Sequence, residues 1–246
     1  MRKKIKGALV IFAFALGPAY AQVQTDDAPP THETVVPRGG RVGWARLITA
    51  NGHWKRHARS DSVLSDFIRT QTSLNMDTTW YAADPADLKQ LSAYPVIFSN
   101  GIETVTDPQS LKNIGEYLKR GGFLLIDACI NPWVTPDPDQ FLAENTMLMT
   151  HILPGVTIRE LPNDHDIFSS FFTMDIRPPH TRGPRFRTDW DRWERHGILG
   201  VYDGDRLVAT ITVSGLQCGW DGFGQTHQAE ICMQMIVNIY VYAMTQ

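Results

Sequence analysis

Residues 94–131 predict a strand, a helix and a second strand in immediate succession. The run YPVIFSNG is short and mostly apolar, which is typical of a strand buried on both faces. Thr106 or Asp107 can cap a helix that begins at Pro108 and ends at paired glycines, and FLLIDA follows at once. Two strands joined so closely by one helix lie parallel in one sheet, so the sequence predicts an α/β fold.

Polar residues at the carboxyl ends of these two strands form the first candidate site. Ser99 and Asn100 end the first strand, and Asp127 and Cys129 end the second. An open parallel sheet binds its ligands at this edge. A carboxylate there must be hydrogen-bonded, paired or used in chemistry, because burying it alone is costly. We therefore expect Asn100 and Cys129 to contact a ligand and Asp127 to be either functional or bonded to backbone.

Three segments are predicted along the chain. Residues 1–21 combine a basic start, an apolar run too short for a comfortable membrane span and an A-x-A pattern ending at Ala21, which together predict a secretory signal peptide. Residues 22–40 are rich in Pro, Thr, Gly and charge and predict a flexible leader. Residues 41–246 suit a single domain, since 43% of the 246 residues are hydrophobic, enough for one sizeable core.

The predicted location is the periplasm or another exported compartment, with membrane contact only through an uncleaved signal segment. Removal of residues 1–21 takes away four positive charges and changes the net charge from −3 to −7. A net negative charge argues against a nucleic-acid partner. The expected partner is an envelope ligand or protein that the sequence does not name.

The rest of the chain alternates strands with helices. Strands are predicted within residues 41–50, 75–83 and 156–162, and a hairpin is predicted around Asp203-Gly204. Further helices are predicted over residues 84–91, 140–153 and 226–243. Another helix is predicted from Ser60 or Asp61, with a core face made of Val63, Leu64, Phe67 and Ile68.

Three cysteines allow at most one internal disulfide in an exported protein. Cys232 lies on an apolar helix face, where a buried free thiol is expected, while Cys129 and Cys218 lie in loops and could pair. A nucleophile on a strand-end turn usually has small residues two positions away, whereas Cys129 has Asp127 and Asn131, and a nearby carboxylate raises the pKa of a thiol. The sequence therefore favours a structural or disulfide-bonded Cys129 over a nucleophile.

Two histidines and two tryptophans complete the candidate residues. His165 and His180 lie in one long irregular stretch, and with Asp127 they could form an acid–base pair or hold a divalent metal ion. The alternative for His165 is a hydrogen bond to backbone in a turn. Trp133 and Trp220 lie in loops and are expected either to line a pocket or to plug a loop onto the core. No cofactor is predicted apart from that metal option.

The chain resembles the bacterial domain of unknown function family 4159 over nearly all of residues 41–244. The resemblance is carried, in chain order, by RVGWARLI, YPVIFSNGIE, LKNIGEYLKRGGFLLIDA, ELPNDHDIF, RPPH, CGWDG and IVNIYVYAM. It implies a fold like that of class I glutamine amidotransferases, a Rossmann-like three-layer α/β/α sandwich with a mainly parallel sheet, here with a β-hairpin near the C-terminus. Some relatives are larger membrane-anchored envelope proteins, and this chain resembles a short exported version.

Departures from the family pattern limit what the resemblance implies. Family members usually have two acidic residues at the end of the GGFL strand, and here the second is Ala128. Asp166 replaces the proline of the usual D-H-P-I-F. Neither flank of Cys129 supplies the glycines of an amidotransferase nucleophile turn, so glutaminase activity is not expected.

Two functional hypotheses follow from the sequence. The first is an exported envelope protein that binds a ligand or a protein partner at the strand ends, without amidotransfer, in a pocket lined by Asp127, His165, His180 and Trp220. The second is a hydrolase acting on an envelope component through Asp127 and either histidine, with metal assistance as an option. The sequence leaves open whether any reaction is catalysed.

Overall fold

The computed structural model describes residues 40–174, 190–223 and 226–246. The predicted signal peptide, residues 22–39 of the predicted leader and the candidate His180 lie outside these ranges.

Within the described residues, seven strands form one sheet. Their bounds are β1 Val42–Leu47, β2 Met76–Ala83, β3 Val96–Ser99, β4 Phe123–Asp127, β5 Thr157–Glu160, β6 Leu199–Asp203 and β7 Arg206–Thr212. The strand order is β2-β1-β3-β4-β7-β6-β5, in which β2, β1, β3, β4 and β7 are parallel and β6 is antiparallel to both of its neighbours. The predicted α/β class and mainly parallel sheet are confirmed. The predicted hairpin is β6 and β7, which turn at Gly204 with a φ of 62°.

Helices connect most of the strands. Their bounds are α1 Ser60–Gln71, α2 Leu88–Leu91, α3 Pro108–Lys119, α4 Pro138–Ile152, α5 Trp190–Glu194, α6 Leu216–Cys218 and α7 Thr226–Thr245. Both α3 and α4 begin where an aspartate, Asp107 or Asp137, accepts backbone N–H groups and a proline takes the first helical position. Among the helices described, none is long and apolar enough to cross a membrane.

Helices cover both faces of the sheet, which gives three layers. Successive side chains of a strand point to opposite faces, so the continuous apolar runs of β3 and β4 serve two cores. One core joins Ile97 and Leu124 to apolar residues of α3 and α4, including Ile114, Leu118, Phe141 and Met149. The other joins Phe98 and Leu125 to apolar residues of α1 and α7, including Leu64, Ile68, Ile236 and Tyr240.

The predicted core face of α1 is only partly correct. Leu64 and Ile68 are fully buried, but Val63 is 57% exposed because it lies one residue, about 100° of helix rotation, away from that face. The start of α1 also differs from the prediction. The Ser60 hydroxyl donates to the carbonyl of His57 rather than capping the helix, and Asp61 is buried in an ion pair.

Candidate active site

The loops after the four central strands meet at the carboxyl edge of the sheet. The loop after β1 carries His57, the turn after β3 carries Asn100, the segment after β4 carries Cys129, and the segment after β7 carries Asp221. This is the edge at which parallel α/β sheets bind ligands, and it includes the point at which the strand order reverses, between β1 and β3.

Cys129, His57 and Asp221 form a hydrogen-bonded series at this edge. The Cys129 thiol is hydrogen-bonded to the His57 imidazole, whose Nδ1 lies 2.5 Å from Oδ2 of Asp221. Since Asp221 engages Nδ1, Nε2 is the ring nitrogen that remains for the thiol. A nucleophile, a base and an orienting carboxylate in this sequence of contacts define the triad of many hydrolases and acyltransferases.

These contacts favour a thiolate and an imidazolium. The pKa of the Cys129 thiol lies well below its ordinary value because Cys218, His57 and the backbone N–H of Asn131 all hydrogen-bond to it, which outweighs its burial. Burial lowers the pKa of His57, but hydrogen bonds to Asp221 and Cys129 and their negative charges raise it to about 9. These contacts therefore favour the thiolate, which is the nucleophilic form of a cysteine.

Cys218 lies against the same sulphur. The two Sγ atoms are 3.7 Å apart, both residues are free thiols and both are buried. The hydrogen bond to Cys129, burial and the negative charge of Cys129 raise the pKa of Cys218 well above its ordinary value. The backbone N–H of Ile130 donates to Cys218. The contacts therefore lower the pKa of Cys129 and raise that of Cys218, which favours Cys218 as the donor to the Cys129 sulphur.

Asp127 holds the segment that carries Cys218. Its carboxylate oxygens accept the backbone N–H groups of Gly215 at 2.9 Å and Gln217 at 3.2 Å, and Gly215 has a φ of 68°, which permits this turn. Burial raises the pKa of Asp127 to about 8, although these N–H groups oppose the increase. Asp127 and Cys129 repel each other when both are charged, as expected, but hydrogen bonds at the sulphur outweigh this and the net pKa of Cys129 is lowered. Of the two predicted alternatives for Asp127, the contacts match backbone hydrogen bonding.

The loop that carries His57 is fixed from the core by Arg46 of β1. The fully buried guanidinium of Arg46 pairs with Asp61 at 2.5 Å and donates to the carbonyls of Trp54 at 2.8 Å and Arg56 at 2.5 Å. An arginine can satisfy a carboxylate and two carbonyls at once because its five N–H donors form a rigid planar fork. The position of His57 therefore depends on a charged group inside the sheet.

Gln217 connects the remaining parts of the edge. Its Oε1 accepts from Nδ2 of Asn100 at 2.7 Å, and its Nε2 donates to the carbonyl of Arg56 at 2.6 Å. Asn100 Nδ2 also donates to the carbonyl of Asp127 at 3.3 Å. Asn100 Oδ1 is buried and has no hydrogen-bond partner among the described residues. It is therefore a polar atom that a bound molecule or water could satisfy.

The other predicted site residues lie elsewhere. His165 follows β5 at the outer edge of the sheet, separated from β4 by β7 and β6, and its Nδ1 accepts the N–H of Ile167 at 3.1 Å. Burial lowers its pKa. This matches the predicted alternative of a backbone hydrogen bond and does not bring His165 to Asp127. Trp133 is 88% exposed. Trp220 is buried, with its ring centroid 5.5 Å from that of Phe98, and thus fastens its loop to the core.

The described residues contain no group of three or more His, Cys, Asp and Glu side chains that could hold a metal ion. The sequence pattern alone did not single out His57 or Asp221. The available signals were a histidine in the loop after β1 and the aspartate of CGWDG after β7, both at the ends of predicted strands. What linked them was the strand order, which places β1 and β7 on either side of β3 and β4.

Comparison with known proteins gives a family and no activity. No curated protein matches the chain. A protein-family model described as "Domain of unknown function (DUF4159)" matches residues 44–244, which spans every strand described here except the first two residues of β1. The chain therefore belongs to the DUF4159 family of domains of unknown function.

Proposed function

We propose that this protein is an exported hydrolase or acyltransferase in which Cys129 is the nucleophile, His57 the general acid and base, and Asp221 the group that orients His57. The observation that carries the proposal is the hydrogen-bonded series from Cys129 through His57 to Asp221. This replaces His165 with His57 in the hydrolase hypothesis and leaves Asp127 a positioning role.

The reaction class follows from what these groups can do. The Cys129 thiolate attacks a carbonyl carbon of an ester, amide or thioester, and His57 gives its proton to the leaving group. Neutral His57 then removes a proton from water or from another molecule that accepts the acyl group. The deprotonated acyl acceptor attacks the thioester and releases the Cys129 thiolate. The backbone N–H of Asn131 donates to the Cys129 sulphur and that of Ile130 to the Cys218 sulphur, and we assign these two groups as donors to the oxygen of the intermediate.

Access to the sulphur constrains the substrate. Cys129 is fully buried, whereas its partner His57 and the Asp221 side chain bound to His57 are 20% and 17% exposed. We infer that a carbonyl compound reaches Cys129 from the side of these partly exposed residues, and that its reactive part is narrow. With the predicted signal peptide, this favours an acyl group of the cell envelope as the substrate.

A small activated ester tests this proposal without knowledge of the natural substrate. The purified, reduced protein is mixed with 4-nitrophenyl acetate, and release of 4-nitrophenolate and the mass of the protein are followed. We expect transient acetylation at Cys129 with turnover. We expect loss of this acetylation in Cys129→Ser and a fall in rate of about 100-fold or more in His57→Ala, because general-base catalysis typically supplies that factor.

The matched control is Cys232→Ser, which removes a thiol of α7 that lies in the core and whose pKa burial raises to about 12. It should acetylate like the wild type. Near-UV circular dichroism checks that each variant is folded. Equal acetylation rates in wild type and a folded His57→Ala variant, or acetylation that avoids Cys129, would overturn the proposal.

A binding protein without a reaction is the second candidate. It is favoured by the unsatisfied buried Oδ1 of Asn100, which offers an acceptor to a hydrogen-bond donor on a ligand. A folded wild-type protein that is not acetylated at Cys129 would favour this candidate over the enzyme.

A further inference from the structure

Two cysteines that are far apart in the chain are held sulphur to sulphur by backbone contacts. Cys129 comes two residues after Asp127, and Cys218 comes three residues after Gly215, whose N–H binds the Asp127 carboxylate. The sulphurs are 3.7 Å apart although the residues are separated by 89 positions. A disulfide needs a sulphur separation of about 2 Å, so the two atoms have to approach by less than about 2 Å.

The two sulphurs differ in protonation. Cys129 accepts hydrogen bonds from Cys218, His57 and the N–H of Asn131, all of which favour its thiolate, while burial and the contact with Cys129 raise the pKa of Cys218 and favour its thiol. A thiolate attacks an oxidant and a neighbouring thiol then resolves the product, so the pair has the two roles that reversible cysteine oxidation requires.

We propose that Cys129 and Cys218 are a redox-active dithiol that a small hydroperoxide oxidises to an internal disulfide. The proposal goes beyond acyl transfer, since the dithiol uses the same Cys129 sulphur but needs no carbonyl substrate. The disulfide would remove the nucleophile, so acyl transfer would stop until a dithiol reductant restores both thiols.

The reaction balances in two steps. The Cys129 thiolate attacks one peroxide oxygen, the O–O bond breaks, and the leaving oxygen takes the proton of imidazolium His57 to give an alcohol or water. Cys129 is now a sulfenic acid. The sulphur of Cys218 attacks it, the S–O bond breaks, and the proton of Cys218 leaves with the hydroxyl as water. Two sulphurs are oxidised by two electrons in total, and the peroxide is reduced.

Burial decides which oxidant fits. Cys129 is fully buried and Cys218 is 3% exposed, so a bulky oxidant cannot reach either sulphur unless the surrounding residues move. A disulfide reactant has to align its own S–S bond with the Cys129 sulphur, whereas hydrogen peroxide needs room for only two heavy atoms. A small hydroperoxide is therefore the better match.

The test is oxidation of the reduced, purified protein with a few equivalents of hydrogen peroxide, followed by alkylation of remaining thiols under denaturing conditions and peptide mass mapping. We expect a peptide pair joined through Cys129 and Cys218, with Cys232 alkylated. Dithiothreitol should restore both thiols. In Cys218→Ser, Cys129 should stop as a sulfenic acid that dimedone traps, and Cys232→Ser should behave like the wild type.

The result in the wild type alone can overturn the proposal. Peroxide treatment that leaves both Cys129 and Cys218 alkylatable, or that links either of them to Cys232, is incompatible with it. Acetylation and oxidation are measured separately, so their failures are distinguishable. If the protein forms the disulfide but is never acetylated, the dithiol proposal stands and the acyl-transfer proposal fails. If the protein is acetylated but never forms the disulfide, the acyl-transfer proposal stands and the dithiol proposal fails.

Discussion

The backbone of His57 has a φ of 55°, the only positive value at a non-glycine residue among the described residues. A left-handed conformation at such a residue costs on the order of 1 kcal/mol and persists only where neighbouring contacts hold it. Here the N–H and the hydroxyl of Ser60 both donate to the His57 carbonyl, and Asp221 engages the ring. The local strain therefore lies at the residue that ionises Cys129, as expected for a functional position.

At this scale the testable quantity is the ionisation of Cys129. Thiolate absorbance near 240 nm should persist in the wild type well below the ordinary cysteine pKa of about 8.5. Replacing His57 with alanine removes a hydrogen bond and a positive charge that stabilise the thiolate, so the pKa of Cys129 should rise. The acylation rate should rise as Cys129 ionises and fall above about pH 9, where His57 loses its proton.

Two variants make this titration specific. Cys129→Ser should abolish the low-pH absorbance change, and Lys55→Ala, an exposed change in the same loop, should leave it in place. A titration that is the same in wild type and His57→Ala would contradict the ion pair.

Between elements, the main connection is the buried ion pair of Arg46 in β1 with Asp61 in α1. Both side chains are fully buried, and Asp61 also accepts the indole N–H groups of Trp44 at 2.8 Å and Trp220 at 3.3 Å. One carboxylate thus ties β1, α1 and the Trp220 segment together, while Arg46 holds the His57 loop. The same ion pair thus supports the His57 loop and the segment that carries Trp220 and Asp221. We therefore expect the stability of the fold and the reactivity of Cys129 to depend on the same contacts.

Removal of Arg46 should test that coupling. Arg46→Met leaves Asp61 buried without its partner, which typically costs about 3–5 kcal/mol, and frees the carbonyls of Trp54 and Arg56. We expect a loss of that size in the free energy of unfolding measured with urea, together with a higher Cys129 pKa in the folded variant.

Arg69→Met is the matched control, because Arg69 pairs with Asp66 on the exposed surface of α1 and should contribute less than about 1 kcal/mol. A Cys129 pKa that stays at the wild-type value in folded Arg46→Met would show that Arg46 does not position His57.

At the scale of the whole molecule, the order of the strands brings the candidate site residues together at the centre of the carboxyl edge of the sheet. The site draws on the loops after β1, β3, β4 and β7, which are consecutive in the sheet, whereas His165 follows the edge strand β5. In an oxidising exported compartment, a dithiol at this edge would meet oxidants that a cytosolic protein rarely encounters. Whether the protein is exported therefore bears on the oxidation of Cys129 and Cys218.

The predicted signal peptide can be tested on the full chain in a bacterium that secretes proteins. The periplasmic product should begin at Gln22, since small residues precede that position, and Ala21→Phe should block cleavage and retain the precursor at the membrane. N-terminal sequencing and intact mass measure both. A soluble cytosolic product that still begins at Met1 would contradict export.

The sequence by itself determined the secondary-structure elements and the edge of the sheet at which the candidate site lies. Helix periods, Asp107 before Pro108, and the turn at Gly204 are local signals, and each produced the element that the structure contains. The parallel pair β3 and β4 followed from one short crossover, which by itself places Asn100, Asp127 and Cys129 at the carboxyl edge of the sheet.

Only the tertiary structure decided which residues meet there. Cys129 contacts His57 and Cys218, and His57 in turn contacts Asp221; these residues meet through the pairing of β1 with β3 and of β4 with β7. No local pattern encodes such pairings, because they depend on which distant apolar faces pack best together. The pKa values of Cys129 and His57 also arise from these contacts, so residue types alone could not predict that Cys129 carries a thiolate.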